Sequence, residues 1–336
     1  MRSARKKEHI ENYLKTSYHG DTLLGDVFLE HNALPNLDFE DIDTSMVYLG
    51  KRIDYPILIN AMTGGSPLTQ EINKDLSTLA KEFNIPMAVG SQTIALEEEE
   101  AKDSFRIVRE TIGNDGIVIS NLSGQATVEQ ARQAINLVQA DAIQVHLNPA
   151  QELVMEEGDR SFKGVINNIE NIVNSIDKLV IVKEVGFGVS KEVAQRLYNI
   201  GVRNIDISGY GGTNFVEIEN LRNPAFDFTE LYSWGIPTAA SLINCRELPD
   251  DLNLIASGGI RSSLDIVKSM VLGAQIVGIS GELLAYLIHG GYANAREYLM
   301  NLIYKIKILM LLLGKQNIEE LRNTEYKITG RLKDLV

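Results

Sequence analysis

DAIQVHLNPAQE, residues 141–152, decides how this chain is read. Ala142, Ile143, Val145 and Leu147 make a short apolar run, the pattern of a buried β-strand. The run then ends in His146, Asn148, Gln151 and Glu152. A buried strand that runs out into polar residues has either met solvent or met something polar that it holds. Asn148-Pro149 also reads as an N-cap and first helical residue, with Gln151 completing a capping box, so a helix is expected to start here.

Seven comparable runs lie on either side: YPILINA (55–61), IPMAVGS (85–91), GIVISNL (116–122), LVIVKEVG (179–186), NIDISG (204–209), LNLIASGG (252–259) and QIVGISG (275–281). Amphipathic stretches such as TQEINKDLSTLAKEF (69–83), TVEQARQAINLV (127–138), SKEVAQRLYNI (190–200) and SLDIVKSMVLG (263–273) separate them. Strands alternating with helices call for parallel pairing. Eight such units predict an α/β protein of the (β/α)8 TIM barrel type. The rival, an open doubly wound sheet, lacks a GxGxxG turn in its first unit. The expected division is an N-terminal substrate-gripping arm and lead-in over 1–50, a barrel over 51–290, and a C-terminal helical tail over 291–336.

Composition narrows the function. The 336 residues are 44% hydrophobic, enough for a large core, and carry a formal charge of −13, which disfavours nucleic acid as partner. The single cysteine, Cys245, excludes a disulfide framework and a cysteine metal cluster. The start, MRSARKKEHIENYL, has no apolar stretch of the signal-peptide kind. The run LIYKIKILMLLLG (302–314) is interrupted by Lys305 and Lys307 and is too short to span a bilayer. A soluble cytoplasmic protein with no membrane partner is expected. Arg2, Arg5, Lys6, Lys7 and His9 form one basic cluster, either a solvated helix face or an arm that grips an anion.

In a barrel, chemistry sits where the strands end. The last three ends, SGYGGT, SGGI and GISG, offer runs of backbone N–H groups, which suit a phosphate. Lys183 ends the fifth run and reads as a Schiff-base nucleophile, a flavin anchor or a salt-bridged core residue. A cation there would stabilise an anionic reduced flavin ring. Thr63, Ser91 and Asn121 offer hydrogen bonds at other strand ends. FMN accounts for more of these positions than a sugar phosphate does. His146 and Asn148 fall on one side of their strand, where they could donate to a phosphate group.

RKKEHI, INAMTGG, SNLSG, HLNPAQE, KEVGFG, SGYGGTNFVEIE, SGGIR and GISG occur in that order across nearly the whole chain. In this the sequence resembles the type 2, FMN-dependent isopentenyl-diphosphate isomerases. The resemblance implies interconversion of isopentenyl and dimethylallyl diphosphates, with Mg2+ and with FMN kept reduced by NAD(P)H or another donor. It implies that Arg5, Lys6 and His9 hold the diphosphate, that Gln151 faces the substrate and that Glu152 ligates Mg2+. It further implies FMN contacts from Ala61, Met62, Thr63, Ser91, Asn121, Lys183, Ser208, Thr213, Gly258, Gly259, Ser280 and Gly281, and a homo-oligomer, tetramer or octamer. Two departures are Phe215, where other members can carry Trp, and Ser280-Gly281, where many have Ala-Gly.

An unactivated alkene is a very weak base, so its acid must be strong and close. Reduced flavin, with a proton at N5 and an electron-rich face, is the expected acid and base, without net redox change. Gln151 and Glu219 are the expected helpers on the far side; the plainer reading of Glu219 is a solvated carboxylate. A 2-hydroxy-acid oxidase would need a histidine base near SGYGGTNF, and an inosine-monophosphate dehydrogenase a cysteine there; neither is present. A non-catalytic FMN-binding scaffold is the remaining alternative, and it predicts no role for Glu152.

Overall fold

The computed structural model describes residues 2–336, with side chains from Lys6 onward. The eight apolar runs become eight strands: β1 Ile57–Ile59, β2 Met87–Ala88, β3 Val118–Ser123, β4 Ala142–Leu147, β5 Leu179–Glu184, β6 Asn204–Asp206, β7 Asn253–Ala256 and β8 Ile276–Ile279. All pair in parallel, each with its sequence neighbours, and β8 returns to β1, so the barrel is closed. The expected (β/α)8 architecture is the one observed.

Side chains alternate across a strand, and the alternation sorts the barrel into layers. Ile57, Ile59, Ile143, Val145, Val180 and Val182 point outward against the helices, where Leu76, Leu79, Phe105 and Val267 complete the main core. Leu58, Ala88, Ile119, Ala142, Ile181, Ile255 and Ile276 point inward. Tyr48 and Ile53, from the antiparallel pair Met46–Tyr48 and Lys51–Ile53, join this inner cluster and plug one end. Two residues further along the inward faces the chemistry changes. Asn60, Asn121, Gln144, Lys183 and Ser257 follow, all buried, together with Asp206. Another step of two reaches Met62, His146, Ser208 and Ser280, which line an open cavity.

The helices are started by side chains. Ser66, Thr127, Ser190 and Ser262 cap Pro67–Glu82, Val128–Val138, Lys191–Asn199 and Ser263–Val271 by accepting from the first-turn backbone. The helix Gly281–Leu312 begins directly after β8 and bends at Gly291, where φ is +71°. Beyond it, the strand Tyr326–Ile328 pairs antiparallel with Val27–Leu29, tying the tail to the lead-in. The arm helix Arg2–Tyr13 packs on the helix Phe215–Arg222 that follows β6. No helix among the described residues is long and apolar enough to cross a membrane.

Candidate active site

A cavity of about 460 Å3 opens at the C-terminal ends of the strands. Its first wall is mostly backbone. Gly211-Gly212 after β6 and Gly258-Gly259 after β7 press against each other so closely that side chains are excluded. A Cβ on Gly258, where φ is +94°, would sit 2.0 Å from the Gly209 carbonyl oxygen, and one on Gly212 would lie 2.2 Å from the Gly259 nitrogen. The β8 end contributes Ser280 and Gly281, the start of the 32-residue helix, whose free N–H groups and positive dipole end favour an anion. The loop after β5 is held by Glu184, whose Oε2 accepts from the backbone N–H groups of Val185 and Gly186, each at 2.7 Å, and of Phe187 at 2.5 Å.

The opposite wall is made of side chains. Gln151 sits in the first turn of the helix Pro149–Val154 and donates from Nε2 to Glu219 Oε1 at 3.0 Å. Its own Oε1 accepts from Asn148 Nδ2 at 3.1 Å. His9 Nε2, from the arm, lies 2.8 Å from the same Glu219 oxygen, an ion-pair distance with the ring N–H out of line for a hydrogen bond. Arg222 Nη1 donates to Glu219 Oε2 at 2.9 Å. Burial alone would raise the Glu219 carboxyl, but His9, Gln151 and Arg222 outweigh it and hold the pKa at about 2. Arg222 also pairs with Glu8 at 3.0 Å and with Glu157, so one guanidinium joins the arm, the β4 loop and the β6 helix.

Glu152, half-buried at the cavity edge, accepts from Asn148 Nδ2 at 2.9 Å and from the Asp159 backbone at 2.9 Å. Among the described residues no three His, Cys, Asp or Glu side chains are grouped to hold a metal ion by themselves. His146 is pushed down to about 3 by burial, with Lys6 and Lys183 adding to the shift, so its imidazole is neutral. Lys183 Nζ lies 3.2 Å from Asp206 Oδ2 and donates to the Glu184 carbonyl at 2.8 Å.

The structure therefore brings into the lining of one cavity Lys6, His9, His146, Asn148, Gln151 and Glu152, together with all twelve residues from Ala61 to Gly281 singled out for FMN. Glu219 stands behind the wall, reached through His9 and Gln151. The side chain of Arg5 lies outside the described residues.

Comparison with known proteins gives this geometry its relatives. The family model for FMN-dependent dehydrogenases matches residues 130–327. An isopentenyl-diphosphate delta-isomerase of Bacillus pumilus (strain SAFR-032) is 46% identical over 98% of this chain and 92% of its own length. The chain belongs to the isopentenyl-diphosphate delta-isomerase family. Another member, from Bacillus licheniformis, is 44% identical over 98% of this chain and 94% of its own length. Among solved structures, a flavocytochrome b2 variant with sulfite bound superposes with a TM-score of 0.70 at 20% identity, covering 97% of this chain and 80% of that one. At that identity the likeness establishes the fold.

Two of the plainer readings of this isomerase-family site do not hold. Glu219 is not solvated: it is 2% exposed, because the helix Phe215–Arg222 turns it toward Gln151 and the arm covers it. Asn148 does not cap the helix that it precedes; its side-chain amide is spent as a donor to Gln151 and Glu152. Sequence reasoning missed Arg222, although its place three residues after Glu219 was a signal. It also missed Asn60, Gln144 and Asp206, one step deeper in the barrel than the strand ends. Cys245 is buried, its thiol pushed up to about 12 by desolvation, which leaves it inert as a nucleophile.

Proposed function

We propose that the protein interconverts isopentenyl and dimethylallyl diphosphates, with reduced FMN as the acid and base and Mg2+ holding the diphosphate. The observation that carries the reading is the convergence of Gln151, His9 and Glu219 across the cavity from a glycine cradle suited to a phosphate. The donor set fits FMN. Thr63 Oγ1 is buried in the cavity wall without a partner, and Gly258 leaves its backbone open because a Cβ there would collide with the Gly209 backbone. Gly258, Gly259, Ser280 and Gly281 would hold the phosphate; Ala61, Met62, Thr63, Ser91, Asn121, Lys183, Ser208 and Thr213 would hold the rest of the cofactor. When bound and reduced, with NAD(P)H the assigned electron source, FMN supplies a proton donor and acceptor at N5.

The chain's own residues set the terms of the reaction. The change itself adds a proton to the terminal CH2 carbon and removes one from C2, so no electrons leave the substrate. Glu219, held down at about 2 by His9, Gln151 and Arg222, is a carboxylate at neutral pH rather than a proton donor. Its charge instead fixes the amide of Gln151, which it holds at 3.0 Å on the cavity wall. Lys6 and His9, with Arg5, are assigned to the diphosphate. Glu152 is the one carboxylate assigned to Mg2+, the other ligands being phosphate oxygens and water. A cytoplasmic tetramer or octamer is the assigned working form.

The test is replacement of FMN by its 5-deaza analogue in the purified protein. Loss of isomerisation with retained cofactor binding is the expected result; full activity would overturn the acid/base assignment.

A further inference from the structure

The polar layer beneath the cavity is larger than the proposed chemistry requires. It is a continuous hydrogen-bonded chain. Asp206 Oδ2 accepts from Asn60 Nδ2 at 2.7 Å, Asn60 Oδ1 accepts from Gln144 Nε2 at 2.8 Å, and Gln144 Oε1 accepts from Asn121 Nδ2 at 2.9 Å. Asn121 Oδ1 then meets His146 Nδ1 at 2.9 Å. Asn60, Gln144 and Asp206 are fully buried, and Asn121 is 2% exposed.

The direction of every bond in this chain is set from its ends. Asp206, as a carboxylate, can only accept. It is surrounded by donors: Lys183 at 3.2 Å, Ser257 Oγ at 2.6 Å, the Ser208 backbone N–H at 3.2 Å and Asn60. Asn60 must therefore turn its NH2 toward Asp206. The Ala61 backbone N–H, an obligate donor 2.9 Å from Asn60 Oδ1, requires the same orientation. Flipping any amide would set oxygen against oxygen and NH2 against NH2 in a place that water does not reach. Room for the chain is made by Gly278, where a Cβ would stand 2.7 Å from Asn60 Nδ2.

We propose that Asp206, acting through Asn60, Gln144 and Asn121, fixes the tautomer of His146, so that Nδ1 carries the proton and Nε2 a lone pair. Asp206, Asn60 and Gln144 are positioning residues; they act on the site only through His146. The opposite tautomer would leave the Nδ1 lone pair facing the Asn121 oxygen at 2.9 Å. That arrangement exchanges an attraction for a repulsion.

One consequence rests on the proposed function. A neutral His146 in this tautomer cannot donate to a diphosphate oxygen, which revises the role expected from its place on the strand. Any ligand group that approaches Nε2 must be a hydrogen-bond donor, an N–H or hydroxyl, rather than an ionised phosphate oxygen.

The test uses the full-length FMN-loaded protein labelled with ¹⁵N-histidine. Two-bond nitrogen–proton correlation spectra distinguish protonated from unprotonated ring nitrogens, and a His146→Gln variant identifies the His146 signals among the five histidines. Wild-type protein should show a protonated Nδ1 and an unprotonated Nε2. Gln144→Met, similar in volume but unable to pass the bond on, should shift His146 toward the other tautomer and leave the other four histidines unchanged. A wild-type His146 protonated at Nε2 would overturn the proposal and needs no variant that might fail to fold. So would a folded Gln144→Met protein with unchanged His146 signals. Neither reading depends on turnover: an inactive protein with the Nδ1–H tautomer would sink the proposed function alone.

Discussion

The two walls of the cavity are built from different parts of the chain. The wall of β6, β7 and β8 is mostly backbone: paired glycines and a helix start. The wall of the β4 end, the helix Phe215–Arg222 and the arm is side chain: two amides, a buried carboxylate, a histidine and a shared guanidinium. A backbone wall is set once by the closure of the barrel and leaves almost no room for substitution. A side-chain wall can be tuned by charge and pH, and part of it arrives on a separate element, the arm. The first suits a resident group, the second a group that comes and goes with each turnover.

Breaking the backbone wall should have the largest effect. Gly258→Ala combines a left-handed φ with a Cβ 2.0 Å from the Gly209 oxygen. The variant should purify without flavin colour, as read by its visible absorbance, and circular dichroism will show whether the barrel remains folded. Breaking the side-chain wall should leave flavin in place. Glu219→Gln removes the charge shared by His9, Arg222 and Gln151, and the turnover rate should fall by about 10²–10³-fold at unchanged FMN absorbance. Equal loss of colour in both variants would erase the distinction between the walls.

A smaller effect sharpens the comparison. Glu152→Gln keeps the hydrogen-bond acceptor for Asn148 and removes the charge. The Mg2+ concentration for half-maximal activity should rise about tenfold, measured by titration with the metal. An unchanged Mg2+ requirement would take Glu152 out of the metal site.

The smallest effect is on stability. The folded pKa of His146, about 3, lies below its ordinary 6.5. As pH falls below 6.5 the unfolded chain takes up a proton at this residue that the folded one refuses, so the His146 contribution to stability declines down to about pH 3. Glu219, held at about 2 against an ordinary 4.5, adds a second loss only below pH 4.5. Between pH 6.5 and 5 the decline belongs to His146 alone of the two. Glu184, raised to about 7 by burial, works in the opposite sense over the same range, so His146→Asn should raise the melting temperature at pH 5 relative to that at pH 6.5 by roughly 2–4 °C more than in the unchanged protein, read by thermal denaturation.

The barrel was legible because each strand is a compact apolar run and each helix an amphipathic one, so the count of eight needed no tertiary information. The glycine turns were legible for a similar reason: SGYGGT and SGGI state a backbone requirement locally. Glu219 and Arg222 were not. Their spacing says that they share a helix face, but whether that face meets water or the arm is settled by packing between residues some 200 apart in sequence, such as Arg222 and Glu8. Asn60, Gln144 and Asp206 escaped because strands were read only at their ends. Stepping back two residues from Met62, His146 and Ser208 finds them, yet their partners lie across the barrel, where only closure brings them together.

The most direct test of the central claim is an anaerobic assay on FMN-loaded protein with Mg2+, following isopentenyl diphosphate by proton NMR while the flavin spectrum is recorded. The account predicts many turnovers to dimethylallyl diphosphate after dithionite reduction, with the flavin still reduced at the end, and none while it is oxidised. Equal turnover with oxidised flavin, or with no flavin bound, would contradict it.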